Sequence, residues 1–172
     1  MGRFIFGVIV TLAVFAICGF AAIWFGMVPA TADVPPPAME KWAAHTSLDA
    51  TISRDAPKPP YPVASSDAAI VAGAKLYTQH CAMCHGAAEN KPTVLAKGLY
   101  IEPPQFAKHG VDDDPEGETY WKIEHGIRFT AMPSYKGNLS EEQIWQIAYF
   151  LKNLPAHLPP EAQTEWHKAV TE

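Results

Sequence analysis

Hydrophobic residues are distributed along the chain in two patterns. Near the N-terminus they form one unbroken run, and after it they recur at helical spacing. The run Phe4–Met27 contains no charged residue. As a helix it would be roughly 36 Å long, enough to span a hydrocarbon core of about 30 Å. We therefore expect residues 1–28 to form a transmembrane anchor.

The ends of this run predict its orientation. Arg3 precedes it and acidic residues follow it, which favours an N-terminus in the cytoplasm. The rival interpretation is a signal peptide cleaved after Ala32, because Ala30–Ala32 has the small-x-small pattern. Signal peptides have an apolar core of about 7–15 residues, so the longer run here favours a retained anchor. Both interpretations place the rest of the chain across a membrane.

A proline-rich linker is expected at residues 29–66. Eight of the 16 prolines lie there, and such segments favour extended, semi-rigid conformations. Between its two proline clusters, four residues share one helical face: Trp42, His45, Leu48 and Ile52. They predict a short helix that packs on the following domain or lies on the membrane surface, and the pattern leaves both possibilities open.

The stripes after residue 66 predict helices. The first carries Ile70, Ala74, Tyr77 and Cys81 at steps of four, three and four, and Ser65 or Ser66 can cap its start. The second follows Asp114, which is placed as the N-cap with Pro115 at the first helical position, and it ends at Gly126.

The third helix has the most complete signals. Ser140 and Gln143 form a capping box, and Leu139 and Ile144 form a hydrophobic staple. Its apolar stripe comprises Ile144, Ile147, Ala148, Leu151 and Leu154, and Pro155 is expected to end it. No segment alternates in the manner of a strand. We therefore predict an all-α domain at residues 67–156 and a C-terminal tail at 157–172.

Charge narrows the range of partners. The chain carries a net charge of −5. Residues 1–66 hold four basic and four acidic side chains, so the whole excess lies in residues 67–172, where nine basic residues face fourteen acidic ones. Nothing in this distribution resembles the basic face of a nucleic-acid-binding protein. The acidic run Asp112–Glu118 is either a solvated loop with a capping role or a docking surface for a basic partner.

The chemistry is concentrated in Cys81–His85, which reads CAMCH. Cys-x-x-Cys-His is the signature of c-type haem attachment, in which Cys81 and Cys84 form thioethers and His85 binds the iron. A zinc site would need two more ligands, and the third cysteine, Cys18, lies in the apolar run. A thioredoxin-like site would need a βαβ context, which the pattern does not provide.

A second axial ligand is expected from the stretch GIRFTAMPSYKG, residues 126–137. Met132 is a soft thioether on a loop, restrained by Pro133. Methionine and histidine are the usual ligand pair of cytochromes c. His109 and His125 are its competitors, and Arg128 is either a partner of a haem propionate or an exposed cation.

Residues 67–156 resemble a class I cytochrome c domain, as found in bacterial membrane-anchored monohaem cytochromes. The matching stretches are GAKLYTQHCAMCHG, GIRFTAMPSYKG and EEQIWQIAYFLKNLP. The resemblance implies crossed N- and C-terminal helices around one covalent haem c, with Gly73 and Tyr77 meeting Tyr149. It also implies a proline carbonyl that accepts a hydrogen bond from the axial histidine. Pro104 is the candidate, with Pro92 and Pro103 as rivals.

The expected function is single-electron transfer and not catalysis, because His85 and Met132 would leave iron without a site for a small-molecule substrate. The expected partners are redox proteins or a membrane complex, with the haem domain on the periplasmic side of the inner membrane. One alternative is a fixed relay subunit of a larger oxidase, reductase or photosynthetic complex. Another is a haem enzyme or gas sensor from which Met132 dissociates.

Overall fold

The computed structural model describes residues 1–89, 91–111, 113–154 and 157–168, and the regular structure of this part is helical. Its helices are α1 Gly2–Trp24, α2 Ala38–Asp55, α3 Asp67–His80, α4 Ala82–His85, α5 Val94–Gly98, α6 Glu116–His125, α7 Glu141–Lys152 and α8 Pro160–Trp166. The described residues form no strand, only an isolated β-bridge between Lys136 and Leu139. The predicted all-α class is confirmed.

Met1–Val34 forms one compact unit, most of which is α1. This helix has 23 residues, an 18-residue stretch of it has a mean hydropathy of 2.6, and none of its side chains is buried. Within the described part of the chain it is the one helix long and apolar enough to cross a membrane. The expected N-terminal apolar helix is therefore confirmed.

The second compact unit begins at Pro35, and α3 and α7 make its most extensive helix contact. Their backbones meet at Gly73, where an added Cβ would lie only 1.9 Å from the carbonyl oxygen of Gln146. Glycine is required there because any side chain would enter the neighbouring backbone. The predicted starts of both helices are confirmed: Ser66 caps α3, and Ser140 with Gln143 forms the capping box of α7.

The aromatic core lies where α3 meets α7 and α8. Tyr77 is fully buried, and its ring centroid lies 5.3 Å from that of Phe150 and 5.5 Å from that of Trp166. Tyr149 instead packs on Trp145, with 5.8 Å between centroids. The expectation that Tyr149 meets Tyr77 is therefore wrong by one residue, because position 150 of α7 faces α3.

Helix α8 was not predicted, since residues 157–172 were interpreted as a tail. Pro160 stands at its first position, where a missing N–H costs nothing. Leu158, Ala162 and Trp166 recur every four residues and are buried. This spacing was the available signal, but it spans too few residues to indicate a helix without knowledge of what it packs against.

The start of α6 differs from the prediction. Pro115 is the N-cap and Glu116 the first helical residue, one position later than expected. Asp114 instead forms an ion pair with Lys122 at 2.8 Å. Part of the acidic run thus belongs to α6. Glu116 and Glu118 lie in its first turn, where their negative charges interact favourably with the positive end of the helix dipole. Asp112, like Pro155 at the expected end of α7, lies outside the described residues.

Helix α2 confirms the short helix predicted in the linker and packs on α6. Ile52 is its one buried residue and Leu48 is half-buried. Trp42 and His45 are exposed, so the predicted shared face is correct only in its C-terminal half. The packing in that half favours the first of the two predicted placements, on the domain.

Candidate haem site

The attachment motif occupies a single helical turn. Cys81 caps the C-terminus of α3, and α4 follows at once. The backbone N–H of His85 donates to the carbonyl of Cys81 at 2.9 Å. Residues at spacings of three and four lie on one side of a helical turn. The turn therefore places Cys81, Cys84 and His85 on one side, as attachment to one macrocycle requires.

The His85 ring is held from behind by the segment 103–106. Its Nδ1 lies 3.0 Å from the carbonyl oxygen of Pro104, and its ring stacks on Phe106 with 4.5 Å between centroids and 6° between planes. A carbonyl can only accept, so Nδ1 carries the proton and Nε2 keeps its lone pair. Burial lowers the pKa of His85, opposed by the Pro104 carbonyl. The imidazole is thus neutral and suited to bind a metal at Nε2.

Gln105 joins the attachment turn to this segment, and no sequence pattern indicated it. Its buried side chain donates through Nε2 to the carbonyls of Cys84 at 3.0 Å and Pro103 at 3.1 Å. A Cβ on Gly86 would lie 2.6 Å from Gln105 Oε1. The carbonyl of Pro103 is thus engaged by Gln105, while the carbonyl of Pro104 faces His85.

The two thiols are poor nucleophiles as free cysteines. Burial, with a smaller effect of Cys84, raises the pKa of Cys81 to about 12, and burial also raises the pKa of Cys84. Reactive cysteines in redox-active motifs have lowered pKa values. The environment of this pair therefore differs from that of a thioredoxin-like site.

The Met132 loop is closely held against the end of α6. Gly126 has φ +67, and a Cβ there would lie 2.7 Å from the carbonyl oxygen of Met132 and 2.6 Å from the carbonyl carbon of Pro133. Ile127 N–H donates to the Met132 carbonyl at 3.2 Å, and Met132 N–H donates to Thr130 Oγ1 at 3.1 Å. The Met132 side chain is half-buried against the core, and these contacts constrain the backbone that carries it.

The other predicted candidates lie on the surface. His109 and Arg128 are exposed. His125 is also exposed; its ring packs on Trp121 at 4.8 Å between centroids, and its Nε2 lies 3.3 Å from a carboxylate oxygen of Glu124. The structure brings Cys81, Cys84, His85 and Pro104 together. The axial role of Met132 and the propionate contact of Arg128 stay predictions.

These residues fit a covalent haem. Two thiols on one turn would form thioethers, and the neutral imidazole, its Nδ1 already bonded to Pro104, would present Nε2 to iron. The soft thioether of Met132 would suit as a second ligand to that iron. When bound, haem c would supply an iron that gains or loses one electron, and the chain would supply its attachment, ligands and surroundings.

We predict that Gln105→Ala lowers stability and shifts the haem potential. Loss of two hydrogen bonds should lower the free energy of unfolding by about 2 kcal/mol. A looser Pro104 contact makes His85 a weaker donor, which favours reduced iron, so the potential should rise. Thermal unfolding and potentiometric titration measure both effects. Gln79→Ala, at an exposed position of α3, is the control. Equal stability and equal haem potential in the two variants would show that Gln105 does not position the Pro104 carbonyl.

Comparison with known proteins supports this chemistry. Residues 68–151 match the family model described as cytochrome C oxidase, cbb3-type, subunit III. No curated protein matches the chain. A solved chain of the Kuenenia stuttgartiensis reducing HAO-like protein complex is 23% identical, with a TM-score of 0.48. The match covers 60% of this chain and 53% of that one, too distant to support a statement about function.

The family match covers the attachment turn, the Pro104 segment, the Met132 loop and nearly all of α7. It agrees with the all-helical fold and with a histidine that a proline carbonyl orients. Residues 68–151 therefore form a c-type cytochrome domain of class I.

Proposed function

We propose that this cytochrome carries single electrons between membrane redox complexes outside the cytoplasm, with one haem c bound through Cys81 and Cys84 and ligated by His85 and Met132. The observation that carries the proposal is the His85 ring, oriented by Pro104 and stacked on Phe106. A fixed, neutral imidazole on an attachment turn suits iron that must change oxidation state without changing its ligands.

The constrained Met132 loop supports electron transfer over catalysis. Its backbone is tied to Gly126, Ile127 and Thr130, so withdrawal of the thioether would disrupt several contacts. An iron with both axial positions filled has no site for a substrate. The role therefore needs no catalytic acid or base, only a haem held close to its redox partners.

Helix α1 supports a tethered carrier. It is long and apolar enough to span a membrane, and Arg3 before it favours a cytoplasmic N-terminus. We infer a single-pass protein of the inner membrane with its haem domain in the periplasm, where it serves the respiratory chain. A tether keeps the haem within reach of neighbouring complexes.

A second candidate function is a fixed relay inside a larger enzyme. The family match favours it, because that model describes a subunit of a cbb3-type cytochrome oxidase. The electron chemistry would be the same, but the partner would be permanent. In that arrangement the chain would be a non-catalytic component of an oxidoreductase.

Native purification from membranes in mild detergent tests these alternatives. We expect a mobile carrier to separate from other haem proteins and, once reduced, to bind carbon monoxide poorly because Met132 occupies the sixth position. Size-exclusion chromatography and reduced-minus-oxidised spectra measure this. Co-purification at constant stoichiometry with an oxidase would establish the fixed relay, and rapid carbon monoxide binding would indicate a haem enzyme or gas sensor.

A further inference from the structure

Helix α2 presents two large apolar side chains that no described part of its own domain covers. Met39 is 79% exposed and Trp42 is 68% exposed. Both lie in the N-terminal half of the helix, whereas the one buried residue, Ile52, lies near its C-terminal end. The packed C-terminal half explains how α2 is held, but not why its first turns carry methionine and tryptophan.

The exposed apolar residues belong to one uncharged face. At about 100° per residue, the positions within some 50° of one direction are Met39, Trp42, Ala43, Thr46, Ala50 and Ser53. We call these six residues the outward face of α2. Ile52 and Leu48 point away from it, and Glu40, Lys41 and Asp55 lie on the far side. Asp49 and Arg54 flank it, so the face is an uncharged strip with its large apolar side chains, Met39 and Trp42, in the N-terminal half.

The outward face belongs to a helix that is fixed at both ends. Ile52 is buried at the C-terminal end, where α2 packs on α6. Near the N-terminal end, Tyr100 OH donates to Glu40 Oε1 at 2.6 Å. Because both attachments lie away from the outward face, the helix cannot bury Met39 and Trp42 by a small rotation without losing them.

The chain itself indicates what covers this face. Helix α1 ends at Trp24 and α2 begins at Ala38. The segment between them can extend over at most about 45 Å, which keeps α2 within reach of a membrane spanned by α1. Tryptophan is enriched at the membrane–water interface, and helices with one apolar face lie in that layer. We propose that the outward face of α2 rests in the lipid headgroup layer; this inference rests on the proposed anchoring by α1.

Charge indicates the kind of lipid contact. Helix α2 carries Lys41 and Arg54 against Glu40, Asp49 and Asp55. Basic helices bind anionic lipid by electrostatic attraction, which a helix of net charge −1 cannot do. The contact is therefore apolar and does not require anionic lipid. Phosphatidylcholine vesicles are the appropriate probe.

Spin labels on the full-length holoprotein in phosphatidylcholine vesicles test the proposal. In a Cys18→Ala background, a nitroxide is attached at Met39→Cys, at Thr46→Cys, or at the control Ala44→Cys. Ala44 is exposed on the same helix but lies about 150° from the centre of the outward face. With the haem reduced, collision rates with oxygen and with a water-soluble nickel chelate report depth.

We expect nickel collisions at residues 39 and 46 to be several-fold slower than at residue 44, with faster oxygen collisions. A label on native Cys18 reports the anchor separately. Equal nickel collision rates at 39 and 44, with the Cys18 label shielded, would overturn the lipid contact and leave the anchor intact. An accessible Cys18 label would overturn the anchor as well.

Two further measurements test the lipid contact, the first against a second copy of the chain and the second through Trp42. Dipolar broadening at residue 39 that disappears on dilution with unlabelled protein would show a second copy and overturn the proposal. Trp42→Ser should increase nickel collisions at residue 39 while leaving the haem spectrum unchanged. An unchanged collision rate in that variant would show that Trp42 does not hold the helix in lipid.

Discussion

Replacing Met132 with alanine is expected to lower the reduction potential of the haem and open its iron to carbon monoxide. The thioethers to Cys81 and Cys84 should survive, so haem stays attached. Methionine favours the reduced state, so its loss should lower the potential by on the order of 0.1 V, within the range of about 0.8 V that axial ligands span. Potentiometric titration and carbon monoxide difference spectra measure the two effects.

The exposed histidines provide matched controls. His109→Ala and His125→Ala should leave the spectrum and potential nearly unchanged, because both side chains lie on the surface of the domain. A Met132→Ala variant that behaves like the wild type would contradict the assignment, provided that one histidine variant loses low-spin character. That combination of results would establish bis-histidine ligation.

The second large effect is expected at Gly73. Alanine there would place its Cβ 1.9 Å from the carbonyl oxygen of Gln146, so α3 and α7 would have to move apart. Overpacking of this kind costs typically about 1–3 kcal/mol, and a clash with backbone falls at or above the upper end. The melting temperature should fall by more than about 10 °C, at roughly 4–8 °C per kcal/mol for a domain of this size.

Gly98→Ala is the matched control for this variant. Gly98 is the last residue of α5, and no atom of the described residues lies within 4 Å of the Cβ that alanine would add. Its effect should be neutral or slightly stabilising, since alanine is the better helix former. Circular dichroism at increasing temperature compares the two. Equal melting temperatures would show that the backbones of α3 and α7 are not in contact at Gly73.

The sequence predicted those features that are determined by residues only a few positions apart in the chain. Ser66 and the Ser140–Gln143 box mark helix starts because capping bonds join residues three apart. The CAMCH turn could also be predicted from the sequence, because all of its functional side chains lie within five consecutive residues. These features require no knowledge of the tertiary structure.

The features that the sequence did not predict depend on contacts between residues that are distant in the chain. Gln105 bonds to Cys84, and Trp166 packs on Tyr77, and neither pair leaves a local pattern. Phe150 and Tyr149 are adjacent aromatics on α7, so only the helix orientation decides which one meets Tyr77. The N-cap was wrongly assigned to Asp114 for a related reason: its carboxylate pairs with Lys122, eight residues later, and does not cap the first turn.

The position of Trp166 bears on the order of events during synthesis. Trp166 and Phe150 close the aromatic cluster around Tyr77, and both follow CAMCH in the chain. Because polypeptides are made from the N-terminus, the attachment cysteines emerge well before this cluster can close. In the finished domain, by contrast, Cys81 is partly covered by core residues. Because Cys81 is partly covered once the core has formed, we expect haem attachment to take place before the aromatic cluster around Tyr77 closes.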